Sequence, residues 1–338
     1  MAPAVLIQQL KKRYGTVDAI RDISIQVEPG EIYGILGPNG AGKTTTLRCL
    51  CTLTTPDSGR LEVTGVSVLE DPRAARRHLG YVAQEVALDK VLTGRELLQL
   101  QAALYHLPST FARQRIQVMI ELLGLEDWAD KKTGTYSGGL RKRLDLAAGL
   151  LHQPDVLVLD EPTVGLDIES RFIMWEFLRQ LQASGTTVLL TSHYLEEIDM
   201  LADRVAIIDQ GTVIAAGTPS ELKDRVGGDR ITLRLREFSP LEEAEQARLL
   251  LASLSGVQDV IINSAQGNSL NLVVSSPDAL STVQQALREA DLPTFGIAQA
   301  RPSLDDVYLA ATGRTLLDAE LAAASNRDPK AERKQNMR

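Results

Sequence analysis

The chain has 338 residues, enough for one large domain and a smaller one, and its 44% hydrophobic content can fill ordinary globular cores. Its net charge of -8, from 36 basic and 44 acidic residues, offers no broad positive field for a phosphate backbone, so no nucleic-acid partner is expected. No apolar run approaches the roughly 18 to 20 residues of a spanning helix, residues 1–10 show no secretory pattern, and the only cysteines, Cys49 and Cys51, are too close to cross-link much; a cytoplasmic, reducing location is expected.

In chain order, the first strong signal is the apolar run 32–36. Further runs at 156–159, 187–190 and 205–208 are rich in branched residues and separated by longer amphipathic stretches, which predicts buried parallel strands alternating with helices in an α/β sheet. Residues 94–125 and 140–151 are helix-like and carry no strand signal. They predict a helical subdomain, about 85–152, punctuated by Pro108 and Gly124. After Gly217-Thr218-Pro219 a helix over 220–226 ends at Gly227-Gly228, closing a first domain of 1–226. Residues 230–313 then read as β-α-β-β-α-β: strand 231–236, helix 241–254, a hairpin 257–275 turning at Gly267-Asn268, helix 279–290 and strand 294–300. That order predicts a ferredoxin-like α+β domain. Residues 314–338 read as helical and then, from 325, as a polar, mixed-charge, disordered tail.

Two patterns carry chemistry by themselves. Gly37, Pro38, Asn39, Gly40, Ala41, Gly42, Lys43 and Thr44 fit G-x-x-x-x-G-K-[ST], after strand 32–36 and before a helix over 44–50. Glycines let backbone amides curl around phosphates, the helix N-terminus faces the same anion, Lys43 offers charge to the outer phosphates and Thr44 a hydroxyl to magnesium; Thr45 completes the turn. A chance match is expected in about one chain of this length in a hundred. Asp160 and Glu161 end the buried run 156–159, on the sheet edge where ligands bind. An acidic pair there could be a mere loop cap, but beside a phosphate loop Asp160 suits a magnesium ligand and Glu161 a general base.

Further segments resemble one family. Tyr136-Ser137-Gly138-Gly139-Leu140-Arg141 resembles the signature of ABC ATPases, whose serine and glycines cap the γ-phosphate held by another subunit. Gln84 in Gly80-Tyr-Val-Ala-Gln84 resembles the Q-loop, His193 in Leu190-Thr-Ser-His193 the switch histidine, Tyr14 the adenine-stacking aromatic, and Gly165-Leu166-Asp167 the D-loop. His78, His106 and His152 read as packing. The resemblance spans residues 5–226 in family order. Leu140 where glutamine is commonest, the basic Arg141-Lys142-Arg143, and residues 301–313 look like the daunorubicin-resistance, drug and lipo-oligosaccharide export (ABC-2) branch.

The resemblance implies a P-loop NTPase cassette with a mixed core sheet and an inserted helical subdomain. It implies ATP and Mg2+ as ligands, with Thr44, Gln84 and Asp160 on the metal and Lys43, Gln84, Glu161 and His193 in hydrolysis. It also implies a head-to-tail homodimer or heterodimer with composite ATP sites and a membrane permease contacted around residues 85–95, which would hold the chain at the inner face of the membrane. A soluble ABC ATPase of DNA repair or translation, and a scaffold that binds ATP without turning it over, are the rival readings. Coiled coils, metal-binding cysteines or a second cassette would favour the first, and none is visible. The presence of both Glu161 and His193 weighs against the second.

Overall fold

The computed structural model describes residues 2–85, 88–275 and 279–325. Two long strands open it, β1 (Val5–Tyr14) and β2 (Val17–Val27), antiparallel across a turn at Gly15 and alternating buried and exposed positions as a half-covered sheet should. Strand β3 (Ile32–Leu36) is buried at every residue and runs into helix α1 (Lys43–Leu50). Strands β4 (Ser58–Val63) and β5 (Val66–Ser67), helix α2 (Pro72–Arg77) and strand β6 (Leu79–Val82) follow.

Helices α3 (Gly94–Leu104), α4 (Ser109–Leu122) and α5 (Gly138–Leu150) pack on one another and bury Leu98, Ile116, Met119, Ile120 and Leu144. A capping box at Thr93 and Glu96 starts α3, Pro108 stands at the head of α4, and Gly124, at φ 59°, follows its end. The predicted stretch 85–95 is therefore loop until Thr93; its residues 86 and 87 lie outside the described residues.

Strand β7 (Val156–Asp160), helix α6 (Ile168–Ala183), strand β8 (Thr187–Ser192), helix α7 (Leu195–Leu201), strand β9 (Arg204–Asp209) and strand β10 (Thr212–Gly217) complete a ten-stranded sheet. Its order is β5-β4-β1-β2-β10-β9-β3-β8-β7-β6. The pairs β9/β3, β3/β8, β8/β7 and β7/β6 are parallel, while β4/β1 and β1/β2 are antiparallel, so the sheet is mixed. Strands β3, β7 and β8 are buried at every residue, as central strands of a parallel sheet covered on both faces are. Their register puts Leu36 beside Ser192 and Asp160 beside Thr191, so three carboxyl ends finish level with one another.

Contacts divide the chain into Met1–Val213 and Ile214–Arg338. In the second unit Thr218 caps helix α8 (Pro219–Val226), which begins at the proline, a residue suited to the first helical position, and so one residue before the sequence reading. Then come β11 (Asp229–Arg234), α9 (Leu241–Ala252), β12 (Val257–Asn263), β13 (Ser269–Val274), α10 (Ala279–Glu289), β14 (Gly296–Ala300), α11 (Leu304–Thr312) and α12 (Leu316–Ser325). The antiparallel order β12-β13-β11-β14 is that of a ferredoxin-like sheet. Ile231, Leu233, Leu270 and Leu272 bury one face against Ala247, Leu251, Val283 and Leu287. The hairpin loop between paired Asn263 and Ser269 runs through a short 3-10 turn, Ser264–Gln266, and closes at Gly267 and Asn268, both at positive φ. The tail from 326 lies outside the described residues.

Candidate nucleotide-binding and catalytic site

Three level strand ends make the site. The loop after β3 carries Gly37 to Gly42, with Asn39 and Gly40 exposed at its tip and Ala41 buried. Two glycines in it are sterically required. A Cβ at Gly37 would overlap the Ile208 carbonyl, and at Gly42, where φ is 108°, it would lie 2.7 Å from the Ala19 carbonyl. Gly42 is also the cap position of α1 and has no side chain to offer, so the first amides of α1 stay available for an anion. Lys43 opens α1 and is buried; its ammonium donates to the Gly37 carbonyl at 2.7 Å and the Pro38 carbonyl at 3.3 Å.

At the end of β7, Asp160 and Glu161 are both nearly fully buried. Asp160 accepts from the Thr44 hydroxyl at 3.0 Å and the Thr191 hydroxyl at 2.7 Å. Glu161 gathers three partners from three separate segments: Lys43 Nζ at 3.4 Å, the Gln84 side-chain amide at 3.1 Å and His193 Nδ1 at 3.2 Å. Burial pushes the Glu161 carboxyl up, but the His193 imidazole and the Lys43 charge outweigh it and hold the group below the usual carboxylate range. Burial pushes Asp160 up and wins there, against the hydroxyls of Thr191 and Thr44. Two adjacent carboxylates are thus driven apart, the pattern that separates roles in catalytic pairs. Glu161 also has a left-handed backbone, φ 47°, and its amide donates to the Thr191 hydroxyl at 2.9 Å.

Lys43, Thr44, Gln84, Asp160, Glu161 and His193 therefore form one cluster of hydrogen bonds and charged contacts. The other predicted residues stand on different elements. Tyr14 ends β1, partly exposed, with the Lys12 ammonium 5.2 Å from its ring centre. Ser137 caps α5, its hydroxyl accepting from the Leu140 amide at 3.3 Å, and Gly138 and Gly139 form the first turn of that helix. Thr45 follows Thr44 in α1, half-buried. Elsewhere His78 pairs with Asp155 at 2.6 Å and His152 meets the Leu79 carbonyl at 2.9 Å.

Three residues of this neighbourhood escaped sequence reasoning. Thr191, two positions before His193, bridges Asp160 and the Glu161 amide. Buried Glu197 accepts from Ser192 at 2.6 Å and from the Trp175 indole at 3.2 Å, anchoring the turn that carries His193. Lys142, buried on α5, donates to the carbonyls of Ala83 and Gln84 at 2.7 and 3.2 Å. A lysine and a glutamate inside otherwise apolar helical faces were the available signals for the last two.

The oxygen donors Thr44 and Asp160, 3.0 Å apart at the phosphate loop, fit a hard cation such as magnesium. Gln84 turns its amide to Glu161, and among the described residues no group of three His, Cys, Asp or Glu side chains could hold a metal ion.

The model of the family described as "ABC transporter" matches residues 20–164, and that of "ATP-binding protein DrrA1-3-like, C-terminal domain" matches 217–312. The daunorubicin resistance ATP-binding protein DrrA3 of Streptomyces coeruleorubidus is 45% identical over 310 residues, covering 92% of this chain and 96% of the relative. Nod factor export ATP-binding protein I of Ralstonia nicotianae is 38% identical, covering 94% and 96%. Among solved structures, cbiO1 from Clostridium perfringens, part of the transporter complex cbiONQ, superposes with a TM-score of 0.61 at 28% identity over 67% of this chain and 94% of that one.

Proposed function

Since the chain belongs to the ABC transporter ATP-binding proteins, in the branch of the daunorubicin-resistance type, we propose that it is the ATP-hydrolysing subunit of an exporter and that Glu161 is its general base. The observation that carries this reading is the Glu161 carboxylate, held ionised by His193 and Lys43 beside Asp160 and the phosphate loop. Phosphoryl transfer asks a protein mainly for positioning and charge. Lys43 would exchange its two loop carbonyls for the outer phosphate oxygens, and the free amides at the start of α1 would receive the same anion. A magnesium ion held by Thr44 and Asp160, with Gln84 in reach of it, would neutralise phosphate charge. Glu161 would take the proton of the attacking water while His193 orients the carboxylate and the γ-phosphate. Tyr14 would stack on adenine.

Ser137, Gly138 and Gly139 stand at a second helix N-terminus, on α5. This supports a composite site in which the signature of one subunit caps the ATP of another, so that ATP joins two chains head to tail and hydrolysis releases them. That two-state element would drive a separate membrane subunit docked at the loop after Gln84. Among the described residues no helix is long and apolar enough to cross a membrane, which supports a peripheral place at the inner face. Export fits the names of the relatives, one for daunorubicin resistance and one for Nod factor export, so the cargo class proposed is a drug, lipid or saccharide-type molecule met by the membrane subunit.

The test is ATP hydrolysis by the purified chain beside Glu161→Gln, with mass by light scattering with and without ATP. The expected result is a loss of about 100-fold or more in the variant, with an ATP-dependent dimer accumulating. Equal hydrolysis by both proteins overturns the assignment of the base.

A further inference from the structure

The basic triplet Arg141-Lys142-Arg143 continues the signature, yet two of its three charges are directed inward. Arg143 donates to the Leu123 carbonyl at the end of α4, at 3.0 Å. Lys142, only 3% exposed, donates to the carbonyls of Ala83 and Gln84. A buried ammonium carries three donors and needs acceptors in place of water, so these two carbonyls fix Lys142 and Lys142 fixes them. One of the two carbonyls belongs to Gln84, whose side-chain amide sits on Glu161 at 3.1 Å. An unbroken line therefore runs from Ser137 at the head of α5, through about one and a half helical turns to Lys142, into the backbone of Gln84, and through its side chain to Glu161.

Each link has a mechanical meaning. Helix α5 is rigid over one turn, and its first turn carries the signature. The loop at Gln84 follows the last residue of β6 by two positions and lies outside the β6/β7 ladder, whose last pair is Val82 with Leu159. Lys43 faces Glu161 Oε1, and the Gln84 amide lies on Oε2 beside His193, so a water that approaches Oε2 must compete with that amide. Moving α5 moves the Gln84 carbonyl with it.

We propose that Lys142 is a positioning residue: its grip on the Ala83 and Gln84 carbonyls transmits the position of the signature helix to the Gln84 side chain and so decides whether Glu161 is free to accept a proton. The proposal rests on the reading of Glu161 as the base. It gives the chain a route by which the state of α5 is read at its own catalytic carboxylate.

The experiment uses the full-length chain and the variants Lys142→Met, which keeps length and loses all donors, and Lys142→Arg, which keeps charge and donors. Amide hydrogen exchange is followed across residues 79–85, with the phosphate loop 37–44 as internal reference, and kcat and KM for ATP are measured beside it. In Lys142→Met the amides at 83–85 are expected to exchange about tenfold faster or more, with the phosphate loop unchanged; kcat falls about tenfold while KM stays within about twofold, and Lys142→Arg recovers most of both. Unchanged exchange at 83–85 overturns the proposal, as does a loss in which KM rises as far as kcat falls or in which arginine rescues nothing. If Lys142→Met does not fold, Lys142→Gln replaces it and the same criteria apply. The exchange readout needs no turnover, so it decides the tether even where Glu161→Gln hydrolyses ATP like the wild type, the outcome that overturns the base instead.

Discussion

In the second unit Asp318 is buried and accepts from the Thr315 amide at 3.0 Å, from the Thr315 hydroxyl and from Asn263 at 2.9 Å, while Arg230 pairs with Asp306 at 3.2 Å and with the Val226 carbonyl at 3.3 Å. In the first unit Glu161 is buried as deeply, but its partners are three side chains from three separate segments: Lys43 at the head of α1, Gln84 after β6 and His193 after β8. Asp318, the third residue of α12, accepts from the Thr315 amide and hydroxyl at the head of its own helix, as Asp306 accepts from Ser303 at the head of α11. Partners inside a helix cap, here the amides and hydroxyls of Thr315 and Ser303, are fixed once the helix forms. Partners supplied by side chains can be exchanged for phosphate, metal or water without unfolding anything. Burial of charge therefore does not mark a site; exchangeable partners do.

The comparison can be broken most severely at Arg230. Arg230→Met leaves Asp306 without its cation and is expected to destabilise the second unit by about 3 kcal/mol, read as amides of β11 and α11 exchanging roughly a hundredfold faster. ATP binding at the first unit should be unchanged, and a parallel loss of binding would mean that the two kinds of buried charge are not independent. A smaller effect is expected at Thr191. Thr191→Val removes the hydroxyl shared by Asp160 and the Glu161 amide, and kcat should fall about tenfold with the protein still folded, measured by steady-state hydrolysis and thermal melting.

The smallest change concerns pH. The folded Glu161 carboxyl lies below its ordinary value, so its basic form persists into acid and the acid limb of kcat should fall below the usual carboxylate range. His193→Ala removes a group that lowers it and leaves burial, which raises it, so the acid limb of the residual activity should move to higher pH. A limb that stays in place would show that Lys43 alone holds the charge.

Much of the site was legible because each piece ends a buried strand and carries its own pattern: the loop 37–44, Asp160-Glu161, and His193 after an apolar run. The helical insertion was legible from periodicity and from Pro108 and Gly124. Thr191 and Lys142 were not, because their partners lie 31 and 58 or 59 positions away and are brought near only by the order β3-β8-β7 and by the packing of α5. Strand ends were misjudged for a related reason. Polar Asp229 and Arg230 look like a loop in sequence, yet the ladders to β13 and β14 claim them and start β11 two residues before Ile231.

The left-handed backbone at Glu161 sets two demands against each other at one position. Glycine would adopt that φ without strain, whereas any side chain there costs on the order of 1 kcal/mol or more. The residue that suits the backbone cannot accept a proton, and the residue that can accept one strains the backbone. A library of random variants sorted for heat resistance alone would drift toward inactive proteins at this codon, so the carboxylate survives only where turnover itself is selected.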